Sequence, residues 1–444
     1  MAEKQQKKSD EARLGRIENA IRAHSRPSDL KITDLRIAVV SSNYDYPIVR
    51  LDTNQGVYGI GEVRDAGHKE NALQFKSMLL GQNPCNVDFL FHTMKSFGSW
   101  GREGGGVSGL ELALWDLVGK VYGVPCYQFL GGKYRDKIRI YADTPAPTDT
   151  TPRGYAERVM GRKKRGLTFI KFDIGLHCLE GVAGAVIGTP TKDEYGSGWG
   201  RRAPGTGPVL HVTDKGLARL VEIVAAVRES VGWDVSLCID HFGHGMLTVK
   251  EVIRLGKALE PFGLSWMEDP APWWDIDAHK QVTDAIEVPT AAGEELYLLD
   301  GFREMIEKRA VDIIHPDLLT SGGMAETKRI ADFAERHGIP TALHFAGSPI
   351  AFMANLHTAA SISSFVALEH HGLDLPFWES LVTGLPKNYM EDGYVSVPDK
   401  PGLGVDLDYE GIRENLRFPG LFESTEEWNA PKLGFWQPDR RWDK

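Results

Sequence analysis

The chain has 444 residues, 42% of them hydrophobic, and 51 Lys+Arg against 61 Asp+Glu give a net charge of −10. That length suits two domains or one barrel with additions, and the apolar share can fill a large core. The acidic balance, with no basic cluster among aromatics beyond the N-terminal tail, argues against general nucleic-acid binding, and no apolar run is long enough to span a bilayer. Four cysteines, Cys85, Cys126, Cys178 and Cys238, lack CxxC or other ligand spacing. Scattered thiols suit a reducing compartment, so the cytoplasm is the expected location.

Residues 1–30 are charged throughout, unlike a signal peptide, and read as an extension outside the core that stops near Arg26-Pro27. Residues 31–137 read as an α+β domain. Its β-rich runs are separated by turn signals such as Asn54-Gln55-Gly56, and a helix follows over Gly109–Gly123, ending on Gly123-Val124-Pro125. Strands are expected at Ile138–Ala142 and Thr168–Phe172, the second ending at Lys171 or Asp173, and they open a β/α barrel over residues 138–375. From Asp173 to Asp240 is 67 residues, roughly 35 to 40 more than one βα unit needs, so an insertion is expected at about 176–212. Gly181–Gly207 is rich in Gly, Pro, Ser and Thr, with Trp199, Arg201 and Arg202 near its centre; a lid and a surface or oligomer-contact loop are both open readings. Later helices are expected at Asp214–Ser230, Val249–Leu259, Asp300–Lys308 and Gly323–His337. Residues 376–444 return to turn-rich β character and are expected to pack back on the capping domain and the barrel.

Polar residues close successive apolar runs in the second half: Asp240 in LCIDHFG, Glu268 in LSWMEDP, Glu294 in TAAGEEL, Asp317 in VDIIHPD, His344 in TALHF and Glu369 in FVALEHH. They recur at intervals of 28, 26, 23, 27 and 25 residues. A strand and its crossover helix need roughly 30 residues, so each residue falls at the end of one parallel strand, and such ends converge on one mouth of a closed barrel. Three acids in one pocket repel unless a cation neutralises them, and an all-oxygen set suits Mg²⁺ better than Zn²⁺.

The motifs IKFDIG, CIDHFG, MEDP, GEE, VDIIHPDLLTSGGMAE, LHFAGSP and ALEHH, preceded by ALWDLVGKVYGVPCYQFLGG, resemble in order the active-site strands and linker of the enolase superfamily, in its mandelate racemase and sugar-acid dehydratase branch. The resemblance covers Leu30 to about Asp408. It implies a TIM-type (β/α) barrel with an N-terminal α+β capping domain completed by the C-terminal segment, often assembled as a homo-oligomer. It also implies Mg²⁺ held by Asp240, Glu268 and Glu294, which would bind a substrate carboxylate and stabilise the enediolate formed on loss of the α-proton. Asp317 and His344 match the family's acid–base dyad, and Lys171 matches a lysine that contacts the carboxylate. Glu369 matches the acid that hydrogen-bonds that carboxylate, a role that calls for its protonated form. No role falls to His315, which shares a face with Asp317 by strand alternation.

Two positions depart from the family's patterns, one from that of its racemases and one from that of its dehydratases. Asp173 stands where a second lysine is expected, and Phe242 where related dehydratases carry an acid–base histidine, flanked by His241 and His244. Racemisation needs acid–base groups on both faces of the enediolate, whereas elimination of water can proceed with one histidine. The expected activity is therefore a Mg²⁺-dependent lyase, dehydrating a sugar acid to a 2-keto-3-deoxy acid. Two alternatives stand beside it: a racemase or epimerase using Asp173 or His241, and a barrel that binds metal and carboxylate without turnover. Substrate contacts are expected from Ser41–Tyr46 and from the segment containing Arg102, although each arginine, Arg102, Arg201 or Arg202, also reads as a solvated surface residue. Trp273 and Trp274 read as packing rather than a sugar platform.

Overall fold

The structure, a computed structural model, describes residues 26–188, 211–240 and 247–430. Strands β1 (Ile32–Val40), β2 (Tyr46–Thr53) and β3 (Tyr58–Glu62) form an antiparallel sheet in that order. Helix α1 (Gly105–Tyr122) lies against it, and two glycines set how closely. A Cβ at Gly59 would stand 2.0 Å from the Ala113 carbonyl oxygen, and one at Gly61 2.2 Å from that of Gly109. Leu30 is fully buried against Leu117 and Val121 of α1, so the core begins one residue inside the stretch read as an extension.

From Lys137 onward strands and helices alternate. The strands are β4 (Lys137–Ala142), β5 (Phe169–Asp173), β6 (Ser236–Asp240), β7 (Trp266–Glu268), β8 (Thr290–Ala292), β9 (Ile313–Ile314), β10 (Thr341–Leu343) and β11 (Phe365–His370). Each pairs in parallel with the next, and β11 returns to β4 through Leu368↔Ile140, closing an eight-stranded barrel. The helices begin where their first residues dictate. Thr151, Thr213, Thr248 and Ser348 each accept a backbone N–H through the side chain, with proline in the first turn of Pro152–Lys164 and Pro349–Ser361. The helix Pro349–Ser361 is buried along its whole length, as its apolar sequence requires. No helix among the described residues is long and apolar enough to cross a membrane.

The barrel interior is built in layers two residues apart. Tyr141, Phe169, Cys238, Trp266, Ala291, Ile313, Ala342 and Ala367 form one apolar cluster inside it, the alanines on β8, β10 and β11 leaving room for Trp266 and Tyr141. Side chains on one strand face return every second residue. The next inward positions toward the C-terminal ends are therefore Asp143, Lys171, Asp240, Glu268, Gly293, His315, His344 and Glu369. Seven of these eight are polar. At the eighth, Gly293, the backbone adopts φ of +134° and a Cβ would stand 2.7 Å from the Phe302 ring; the turn hands the position to Glu294.

The first domain is seated over this polar mouth. Glu111 of α1 accepts the N–H groups of Met324 (2.8 Å) and Ala325 (3.0 Å) at a helix N-terminus, and Glu62 accepts that of Ser348 at 3.0 Å. The chain end joins both parts: Tyr394–Ser396 pairs antiparallel with β4, the Arg417 N–H donates to Val39, and the Tyr58 hydroxyl donates to Asp406 at 2.7 Å. In the stretch after β5, Val186–Ile187 pairs with His211–Val212. Residues 189–210, with Trp199, Arg201 and Arg202, lie outside the described residues, as do His241, Phe242 and His244.

Candidate active site

Lys171 projects from β5 into the mouth. Its Nζ lies 3.1 Å from Asp240, 2.9 Å from Glu268 and 2.6 Å from Glu369. Burial alone would lower its pKa, but Glu268, Glu369 and Asp240 outweigh that and hold the ammonium charged. The same contact changes the reading of Glu369. Burial raises its pKa, yet Lys171 and then His344 hold its carboxyl well below the usual range. These contacts favour its ion-paired carboxylate form, whereas the protonated form expected from sequence belongs to the complex with a substrate carboxylate. Glu268 behaves oppositely: burial first and the Asp240 charge second push it well up. The Trp266 indole N–H donates to its other oxygen at 3.1 Å.

His344 and Asp317 meet as the sequence spacing suggests, with Nδ1 2.6 Å from Asp317 Oδ2. The opposite nitrogen, Nε2, lies 2.9 Å from Glu294 and 3.7 Å from Glu369. Burial disfavours the imidazolium, but Glu294, Glu369 and Asp317 outweigh it and raise the pKa well above the usual value. The Leu319 N–H also donates to Asp317 at 2.6 Å, so its carboxylate is held from two sides.

Four partners escaped the sequence reading. Arg64, fully buried and reaching in from just beyond β3, lies 2.7 Å from Asp65, 3.2 Å from Asp317 and 3.5 Å from Glu294. Tyr141, in the layer below, donates its hydroxyl to Glu369 at 2.9 Å and meets His315 Nε2 at 2.6 Å. His315 therefore has a place, wedged between Tyr141 and Glu268 (3.4 Å), and burial lowers its pKa to about 3, which keeps the ring neutral. Asp143 and His371 stand at the end of β4 and just beyond β11, 3.4 Å apart. Strand alternation could have found them, since Asp143 follows Tyr141 by two and His371 follows Glu369 by two. Arg64 had no such signal, because Glu294 and Asp317 lie 230 and 253 residues further along the chain.

Around the mouth, Arg102 is paired rather than solvated, 3.1 Å from Asp65 and 3.2 Å from Glu295. Its guanidinium lies 5.9 Å from the centre of the Tyr44 ring. Tyr44 is pushed up by burial, then by the charges of Asp65 and Asp143, so the Ser41–Tyr46 loop reaches the acidic mouth. Trp273 stacks on Trp100 of the first domain at 5.5 Å and meets Trp274 edge-on at 5.3 Å, which is a packing role. Asp173 pairs in register with Asp240 at the strand ends.

The acids Asp65, Asp240, Glu268, Glu294, Glu295, Asp317 and Glu369 outnumber the permanent cations Lys171, Arg64 and Arg102 in this mouth. Such a donor set suits a hard divalent cation. Among the described residues, the atoms drawn within 4.8 Å of one another are those of His344, Glu369 and His371, and of Glu268, His315 and Glu369. Asp240, Glu268 and Glu294 are not gathered that tightly, because Lys171 engages the first two and His344 the third.

Two family models match the chain: "Enolase C-terminal domain-like" over residues 155–411 and "Mandelate racemase / muconate lactonizing enzyme, N-terminal domain" over 21–131. A D-xylonate dehydratase from Haloferax volcanii is 35% identical over 395 residues, covering 87% of this chain and 89% of that protein. A D-galactonate dehydratase family member from Cellvibrio japonicus is 30% identical, covering 85% and 93%. The crystal structure of a mandelate racemase/muconate lactonizing enzyme-like protein from Rubrobacter xylanophilus superposes with a TM-score of 0.77 at 32% identity, covering 89% of this chain and all of that one. With both family models in chain order on a closed barrel and its capping domain, the chain belongs to the enolase superfamily, in its mandelate racemase and sugar-acid dehydratase branch.

Proposed function

We propose that the protein is a Mg²⁺-dependent sugar-acid dehydratase that removes the α-proton of its substrate and expels the β-hydroxyl, giving a 2-keto-3-deoxy acid. The observation that carries this reading is the convergence of the His344–Asp317 pair, Lys171 and the three acids Asp240, Glu268 and Glu294 at one buried barrel mouth. The relatives named as dehydratases of D-xylonate and of the D-galactonate family support the substrate class. Mg²⁺ on Asp240, Glu268 and Glu294 would supply the positive charge that makes a proton beside a carboxylate removable. Lys171, charged and central, adds a fixed cation where the substrate carboxylate enters. Asp317 orients His344 so that Nε2 points into the pocket; with Mg²⁺ on Glu294, the charge that most raises the pKa of this ring would be neutralised, and the neutral ring's Nε2 takes the α-proton. Arg64 holds Asp317 from behind, which ties the closed first domain to the geometry of the base.

The test is a panel of sugar acids, D-xylonate, D-galactonate and D-mannonate among them, incubated with Mg²⁺ and read for keto-acid. Exchange of the α-proton in heavy water with full recovery of substrate would favour epimerisation instead, and would set this reading aside.

A further inference from the structure

A strand that turns its side chains inward at Glu369 turns them inward again at His371, while His370 faces outward onto Phe352 and Trp378. His371 Nε2 lies 3.1 Å from Glu369 Oε1, and His344 Nε2 lies 3.7 Å from the other oxygen of the same carboxylate. The two imidazole centres are 5.9 Å apart. Asp143 Oδ2 stands 3.4 Å from His371 Nδ1, on the side away from Glu369, much as Asp317 stands behind His344. His371 also keeps 12% of its side chain exposed, against 2% for His344. Two carboxylate-backed histidines thus flank one acid at a separation that suits groups serving adjacent carbon atoms.

We propose that His371, oriented by Asp143, is the second acid–base group of this site and gives the departing β-hydroxyl its proton. The assignment rests on the dehydratase reading above, and it replaces a one-histidine elimination with a division of labour. The α-C–H bond breaks, its proton passing to His344 Nε2 and its electron pair entering the enediolate. That pair forms the Cα=Cβ bond as the Cβ–O bond breaks, and the hydroxyl leaves as water with the proton from His371 Nε2. The enol then becomes the keto acid by moving its hydroxyl proton to Cβ, and the proton held on His344 and the one missing from His371 equalise through solvent. The charged and titratable groups facing His371 are Asp143, Glu369, Lys171 and His344. Burial disfavours its charged form, but Asp143 and Glu369 outweigh this and favour the proton-bearing state of an acid.

His371→Asn and Asp143→Asn are compared with wild type, all with Mg²⁺, on the sugar acid the wild type converts and on its 3-deoxy-3-fluoro analogue, since departing fluoride needs no proton. His371→Asn is expected to lose at least about 100-fold in kcat on the hydroxy acid, to stay within about threefold of wild type on the fluoro acid, and to keep exchanging the α-proton in heavy water. Asp143→Asn is expected to move the high-pH limb of kcat to lower pH, because the protonated ring loses its partner. The proposal is overturned if His371→Asn keeps its kcat on the hydroxy acid, if it is equally impaired on the fluoro acid, or if the Asp143→Asn limb does not move. Should His371→Asn melt well below wild type, Asp143→Asn carries the same two-substrate comparison. A wild type that makes no keto acid from any sugar acid overturns the dehydratase reading and this role together; normal turnover with an indifferent His371→Asn overturns this role alone.

Discussion

Arg64→Met removes a cation with no exposed surface. In the native protein Arg64 reaches Asp65 at 2.7 Å, Asp317 at 3.2 Å, Glu294 at 3.5 Å and the Glu294 carbonyl at 3.0 Å. Removing one partner of a buried ion pair costs about 3–5 kcal/mol, because the charge left behind has no water. The lower end applies here. Asp65 keeps Arg102 at 3.1 Å, and Asp317 keeps His344 and the Leu319 N–H, both at 2.6 Å. With about 2.1 cal/mol/K of unfolding entropy per residue over this chain, a loss of about 3 kcal/mol lowers Tm by about 3 °C. Scanning calorimetry at fixed Mg²⁺ measures it, and kcat should fall in parallel as Asp317 loses its rear support. Arg64→Lys should recover only part of either quantity, since an ammonium cannot span these partners as a planar fork does. An Arg64→Met protein that melts with wild type, or matches Arg64→Lys in both quantities, would refute the idea that this arginine clamps the first domain to the dyad.

Asp317→Asn should leave substrate binding nearly intact while lowering kcat on the order of 10³–10⁴-fold, as expected when a base loses its orienting carboxylate; steady-state kinetics showing a change mainly in KM would contradict this. His344→Asn should abolish keto-acid formation and α-proton exchange together, and exchange that survives would point to another base. Chelation should stop turnover and Mg²⁺ restore it, with Asp240→Asn and Glu268→Gln losing divalent-metal affinity by calorimetric titration; unchanged affinity would remove these residues from the metal site. Burial raises Glu62 from 4.5 to about 8 against the opposing Ser348 hydrogen bonds. The folded protein therefore holds a proton there that the unfolded chain has lost between those values, and stability falls as pH rises through that window. Glu62→Gln should flatten that fall, its Tm gaining on wild type as pH increases; a constant difference across the window would contradict the assignment.

Much of the site was legible because a barrel strand exposes one polar residue per repeat, and Lys171, Asp240, Glu268, His344 and Glu369 each stand two residues beyond an apolar residue of the interior layer. The same alternation reaches Asp143, which ends the run Ile140-Tyr141-Ala142, and His371, which ends none. In ALEHH the glutamate ends the run, and its two histidines face opposite ways. Charge state was beyond the sequence: Lys171 lies 2.6 Å from Glu369 and favours its ionised form, a contact the closure of the barrel creates. Arg64 was invisible for a related reason, since it belongs to a different domain and no periodicity links it to Glu294 or Asp317. Arg102 read as a solvated arginine until the fold placed Asp65 and Glu295 around it.

The decisive measurement is keto-acid formation from sugar acids by the purified protein with Mg²⁺, followed alongside α-proton exchange in heavy water. Elimination should give a 2-keto-3-deoxy acid from at least one member of the panel, dependent on Mg²⁺ and lost in His344→Asn. A protein that exchanges the proton but never releases water, or binds sugar acids and leaves them unchanged, would contradict the assignment of this mouth to dehydration.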